Sequence, residues 1–168
     1  MPLLDIWSLR RVLLAGRSSD MLRTIVSQLC AIGARPFQLS VPFGEESLSR
    51  ALQQRRCASV IVPDLFTLHG HDSQARLTAL DMLLGEAREA GVPLVMLLCR
   101  SSAEREAEAA QLFSHALGWA RGTFGDPVNI QCIRCTGRDI RPLCQEALTL
   151  GARFLAGETS CTGIFTLM

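Results

Sequence analysis

The chain of 168 residues contains no lysine and no tyrosine; all 17 of its basic residues are arginine. Those two absences exclude any chemistry that needs a primary side-chain amine or a phenol. Aromatic residues are scarce at 5%, and the charges nearly cancel, 17 basic against 16 acidic, to leave +1. A chain so close to neutral offers no electrostatic case for nucleic acid or for an anionic membrane surface. The Arg10-Arg11 and Arg55-Arg56 pairs are short and read as solvated surface. Long hydrophobic runs are also missing. The longest, residues 92–99, falls far below the roughly 20 residues of a membrane span. The start, MPLLDIWSLRR, lacks the charged opening, apolar middle and small-residue cleavage site of a signal peptide. A cytoplasmic protein is expected. Seven cysteines, an odd number set mostly in apolar runs (Cys30, Cys99, Cys132), predict buried free thiols in a reducing compartment.

What is present describes a globular chain, 48% hydrophobic and 20% charged, expected to fold as one domain over residues 1–168. The stretch 11–39 organises it. An apolar run, Val12 to Ala15, leads into the turn Gly16-Arg17-Ser18-Ser19. An amphipathic segment, 20–32, follows with Met21, Ile25, Leu29 and Ile32 at helical spacing; Gly33 stops it and Phe37-Gln38-Leu39 opens a second strand. Strand, tight turn, helix and strand make a βαβ unit. Further strands are predicted at 58–62, 92–99, 128–135 and 163–167, with the first at 9–15. Helices are predicted at 45–55, 74–90, 103–123 and 141–156, with Ser19 capping the first and Ser101-Ser102 the one at 103–123. The alternation argues for an α/β fold, a three-layer Rossmann-like domain with a mostly parallel sheet.

In such units the turn glycines let the backbone approach a pyrophosphate seated on the helix N-terminus. Only Gly16 is present; Asp20 and Leu22 stand where the next two would fall. The Asp20 carboxylate repels a pyrophosphate at that range, and Leu22 adds bulk where helix and strand meet. Gly16, Arg17, Ser18 and Ser19 therefore read first as a turn kept for folding.

Four segments resemble the short-chain dehydrogenase/reductase family. Residues 14–23, LAGRSSDMLR, are similar to its TGxxxGxGR turn with two glycines lost. Residues 95–103, VMLLCRSSA, resemble the strand that ends in the family's Ser-Ser. Residues 127–137, PVNIQCIRCTG, resemble "rVNaiaPG", with Thr136 in place of Pro. Residues 154–163, FLAGETSCTG, are similar to the C-terminal "FLaSdxasxiTG". The resemblance implies a Rossmann-like domain and NAD or NADP as the cofactor, if any. It also implies a catalytic Tyr and Lys, and this chain has neither. The Asn-Asn-Ala-Gly strand end that lies against the cofactor is replaced by Val62-Pro63-Asp64-Leu65. By this comparison the sheet is shortened by one βα unit between Leu39 and Ser47, and the substrate-covering insertion after Gly137 is reduced to Arg138-Asp139-Ile140.

The resemblance thus points to a truncated, degenerate member without a cofactor. Ser101 or Ser102 matches the family's substrate-polarising Ser, but helix capping is the simpler role. His115, on the helix that lost Tyr and Lys, needs a partner carboxylate before it can be a base. Asp64 at a strand end, with Arg17 and Ser18, could line a rebuilt nucleotide pocket, or mark a receiver-like signalling domain. Against the latter, the acidic pair after the first strand and a later Lys are missing. Cys132-Ile133-Arg134-Cys135 on a strand points its thiols to opposite faces, and His69-Gly70-His71-Asp72 reads as a polar loop entering a helix. No metal site is expected. Nine of the fourteen residues 107–120 are apolar, more than one sheet-facing stripe requires. In the resembled family the helices matching 74–90 and 103–123 form a dimer bundle. The expected action is association through them, as a homodimer or beside an active dehydrogenase. The alternative is an NAD(P)-binding oxidoreductase with altered or partner-supplied catalytic residues.

Overall fold

The structure, a computed structural model, describes residues 2–69 and 72–168. Among the described residues six strands, β1 (Arg11–Ala15), β2 (Arg35–Leu39), β3 (Ser59–Val62), β4 (Leu94–Arg100), β5 (Ile130–Cys135) and β6 (Gly163–Leu167), alternate with five helices. The helices are α1 (Asp20–Ala31), α2 (Glu45–Arg55), α3 (Ser73–Glu89), α4 (Glu106–Ala120) and α5 (Ile140–Leu155). All pairings in the sheet are parallel, in the order β2-β1-β3-β4-β5-β6. This is a doubly wound order, 2-1-3-4-5 with a sixth strand added beyond β5, so the expected α/β class and parallel sheet are observed.

The central strands are apolar almost throughout because both faces are covered. Their alternate side chains build two cores. Leu13, Val60, Val62, Val95 and Leu97 pack under α2, α3 and α4. Val12, Leu14, Ile61, Met96 and Ile133 pack under α1 and α5. Cys132 enters the first core and Cys135 the second, as the period of two dictates. A 3₁₀ turn, Leu3–Trp7, tucks fully buried Trp7 into the second core, where its indole N–H donates to the Leu148 carbonyl at 2.8 Å. The sequence reading had no element there.

Several boundaries differ from the sequence reading for identifiable reasons. Leu9 is not in β1: it holds φ +65° and is exposed, so the chain turns before entering the sheet. Ser101 and Ser102 do not cap α4. The Ser101 N–H continues the sheet by donating to the Cys135 carbonyl at 2.9 Å, and a turn carries the chain to Arg105, which holds the N-cap position without a side-chain bond. Cys30 is exposed on the outer face of α1, while the other six cysteines are buried and free. Among the described residues no helix is long and apolar enough to cross a membrane.

Candidate functional site

The chain passes from β1 out to β2 and then back over β1 to β3 on its other side. The crevice beyond the carboxyl ends of β1 and β3 is therefore the switch point, where open α/β sheets bind ligands. Gly16 to Ser19 and Asp64 meet here, brought together by the β1–β3 register. Each is engaged by the chain itself. Gly16 adopts φ +136°, and a Cβ there would lie 2.6 Å from the Thr67 hydroxyl. The backbone does make a close approach, but to Thr67 of the 3₁₀ turn Leu65–Thr67. The Arg17 N–H donates to the Thr67 carbonyl at 3.1 Å, and the Gly16 N–H to the Leu39 carbonyl at 3.3 Å.

The remaining groups are similarly used. Ser19 caps α1 by accepting the Leu22 N–H at 3.1 Å, as its position before the amphipathic run predicts. The Ser18 hydroxyl accepts from Arg23, which also pairs with Asp20. Leu22 is buried in the first turn of α1. Asp64 accepts the Phe66 N–H at 3.0 Å and caps the 3₁₀ turn. Burial pushes its carboxyl above the ordinary value, against the opposing pull of the Phe66 N–H, Arg105 and Arg100. Beside it the Cys99 thiol is pushed up to about 12 and Cys135 to about 11, in both cases chiefly by burial. Thiols so held are poor nucleophiles.

Beyond this crevice the candidate residues are dispersed. Ser101 ends up near Glu106, with Oγ 3.5 Å from the carboxylate. The Glu106 carboxylate also pairs with Arg134 at 2.8 Å. His115 lies about two and a half turns into α4, on the side facing α3. There it has the partner that sequence could not supply: Nε2 is 2.5 Å from Asp81 Oδ1, which also accepts the Trp119 indole N–H at 2.9 Å. Phe124 packs against both rings, tilted by 37° to His115 and 45° to Trp119, and Arg88 lies 4.8 Å over Trp119. Asp81 belongs to a different helix, so only the packing of α3 on α4 reveals the pair. Nearby, Arg76 of α3 grips Glu108 of α4 through two bonds of 2.6 Å. Asp72 caps α3 by accepting the Gln74 N–H at 2.9 Å; His71 lies outside the described residues.

The faces of α3 and α4 expected from the sequence to mediate association are partly consumed within the chain. Ala109, Leu112, Phe113, Ala116 and Trp119 are buried, Leu77, Met82 and Leu117 are half-buried, and Ala107 and Ala110 are exposed. A cavity of about 330 Å³ lies between the two helices, lined by Leu77, Leu112, His115 and polar neighbours. A more apolar one of about 390 Å³ lies between Phe43, Leu68 and Met82.

No protein-family model matches this sequence, and no curated protein is similar to it in sequence. Solved structures do match. A nucleoside-diphosphate-sugar epimerase from Staphylococcus aureus superposes with a TM-score of 0.61 at 14% identity, over 94% of this chain and 70% of its own. BdcA from E. coli gives 0.60 at 16%, over 96% of this chain and 100% of its own. A GDP-mannoheptose C4 reductase from Campylobacter jejuni, with NADP bound, gives 0.56 at 7%, over 76% of this chain; the match spans 51% of the reductase, about half its length. Likeness at such low identity establishes the fold: this chain is a Rossmann-like α/β domain.

Proposed function

We propose that this chain is a catalytically inactive, shortened relative of the short-chain dehydrogenases that binds no dinucleotide and acts by association. The observation that carries the reading is the contact of Thr67 with the Gly16-Arg17 turn. Thr67 occupies the space against Gly16 that a phosphate would need, and it takes the Arg17 N–H that would cradle one. The absence of Tyr and Lys points the same way, because the family's proton donor and its ribose-holding partner have no counterpart in this chain. Association, as a homodimer or as the structural subunit of an active dehydrogenase, is the role left to such a scaffold. The faces of α3 and α4, with exposed Ala107 and Ala110 and half-buried Leu77 and Leu117, would permit close helix approach across subunits.

The test is thermal unfolding with millimolar NAD, NADH, NADP and NADPH, paired with sedimentation of the free protein. The expected result is an unchanged Tm with all four nucleotides and a mass above that of the monomer. Since a ligand at 100 times its Kd adds about 2.7 kcal/mol, binding at useful affinity is plainly visible as a rise in Tm. Such a rise overturns the nucleotide half of the reading, and a monomer overturns the other. A second reading, a cofactor binder with rebuilt chemistry, draws on the NADP-bound reductase that shares the fold and on Asp64, half-buried within the fields of Arg100 and Arg105.

A further inference from the structure

The amino ends of the first three strands, at the pole opposite the crevice, gather Arg10, Arg11, Arg35 and Arg56. The near-neutral net charge of the chain conceals this local excess. Arg11 opens β1 and Arg35 opens β2, and the parallel register sets the two directly opposite each other. Both point to the side of the sheet that α2 covers. By the two-residue period they share it with Leu13 of the first core and with Phe37, which packs against that core. Neighbouring strands lie about 4.8 Å apart, so the two guanidinium groups start side by side. Like charges so placed are destabilising, and both side chains are exposed.

The other two arginines flank this pair. The Arg10 carbonyl accepts the Arg35 N–H at 2.8 Å, and the Arg11 carbonyl accepts the Ala58 N–H at 2.8 Å, which brings Arg56 alongside. Arg56 holds φ +47°, a left-handed conformation that favours glycine. Among the described residues neither Arg35 nor Arg56 forms an ion pair. The carboxyl end of α2 attracts a cation, and Arg56 at its cap supplies one. Arg35 has no such reason, because β1 separates its strand from β3. Between Arg11 and Arg35 opens a cavity of about 270 Å³, lined by these two residues with Pro36 and Phe37.

We propose that this cavity binds a phosphoryl dianion, either free phosphate or the phosphate of a small ester whose body rests on Pro36 and Phe37. Two planar guanidinium forks on adjacent strands match the oxygens of one tetrahedral dianion. Its charge turns the repulsion between Arg11 and Arg35 into a shared attraction. The volume suits a phosphate on a single ring and is too small to enclose a dinucleotide. The site is independent of the crevice, since it lies at the other ends of the strands and uses side chains instead of turn amides.

The test is thermal unfolding of the full chain in phosphate-free buffer, titrated with phenyl phosphate or inorganic phosphate. Sodium chloride at matched ionic strength is the control, and wild type is compared with Arg35→Gln and Arg11→Gln. The expected result is a saturable rise in the wild-type Tm with phosphate and none with chloride. In each variant the half-saturating concentration should climb by about tenfold or more, the worth of one charge-assisted hydrogen bond. A larger rise with phenyl phosphate than with the free anion supports a site for an ester, and equal rises support one for phosphate itself. No rise in wild type, or a rise that both variants leave unchanged, overturns the proposal.

Discussion

Asp64 sits half-buried at the carboxyl end of β3, and its protonation is coupled to folding in a direction opposite to that of a salt-bridged carboxylate. Burial raises its pKa above the ordinary value, outweighing the Phe66 N–H and the two arginines. Its contribution to stability is therefore fully present below the unfolded-chain pKa and is lost as the pH rises through the folded one. Asp64→Asn, which can still accept from Phe66, should melt higher than wild type at neutral pH, and the gain should vanish under acid conditions. A lower Tm at neutral pH, or a gain independent of pH, would contradict this account. Gly16 supplies a second test at this scale. Gly16→Ala meets both the Thr67 hydroxyl and an unfavourable φ, at a cost of about 1–3 kcal/mol for the backbone alone. In a Thr67→Ala background the steric part should disappear and the backbone part remain. A cost equal in the two backgrounds would mean that Thr67 does not fill the crevice.

The elements were legible where local rules decide them. Apolar periodicity located all six strands and five helices, Ser19 announced the start of α1, and Gly33 its end. The rules fail where a distant segment decides. Ser101 looks like a cap, yet the Cys135 carbonyl holds it in the sheet. Trp7 lies in a short apolar start with no strand or helix period, and nothing local shows that α5 receives it. Gly151, in the middle of α5, is the other half of that contact. A Cβ there would lie 2.7 Å from the Trp7 ring and 2.8 Å from the Met96 sulfur. Gly151→Ala improves helix propensity by about 1 kcal/mol but overpacks the core, for which the usual cost is about 1–3 kcal/mol. The expected outcome is a lower denaturation midpoint in urea with an unchanged m-value; a rise would mean that Trp7 yields freely.

At the scale of the whole molecule, the two cores and the covered sheet leave six of seven thiols inaccessible. Cys99, Cys132 and Cys144 are pushed up to about 12 and Cys135 to about 11 by burial. An aromatic disulfide reagent should therefore release one equivalent quickly from the native chain, from Cys30, and seven after denaturation. More than one fast equivalent would show a core looser than described. At the candidate site the turn at Gly16 and the Ser19 cap were legible from local pattern. The contact of that turn with Thr67 was not, because Thr67 is about fifty residues away in sequence and no local pattern links it to Gly16. The bond from Trp7 to Leu148 spans 141 residues and bears on the order of events at the ribosome. The amino-terminal turn has nowhere to dock until the fifth helix has been made. Synthesis at about 5–20 residues per second thus leaves the indole waiting for about 7–28 s. The start of this chain is among the last parts to settle.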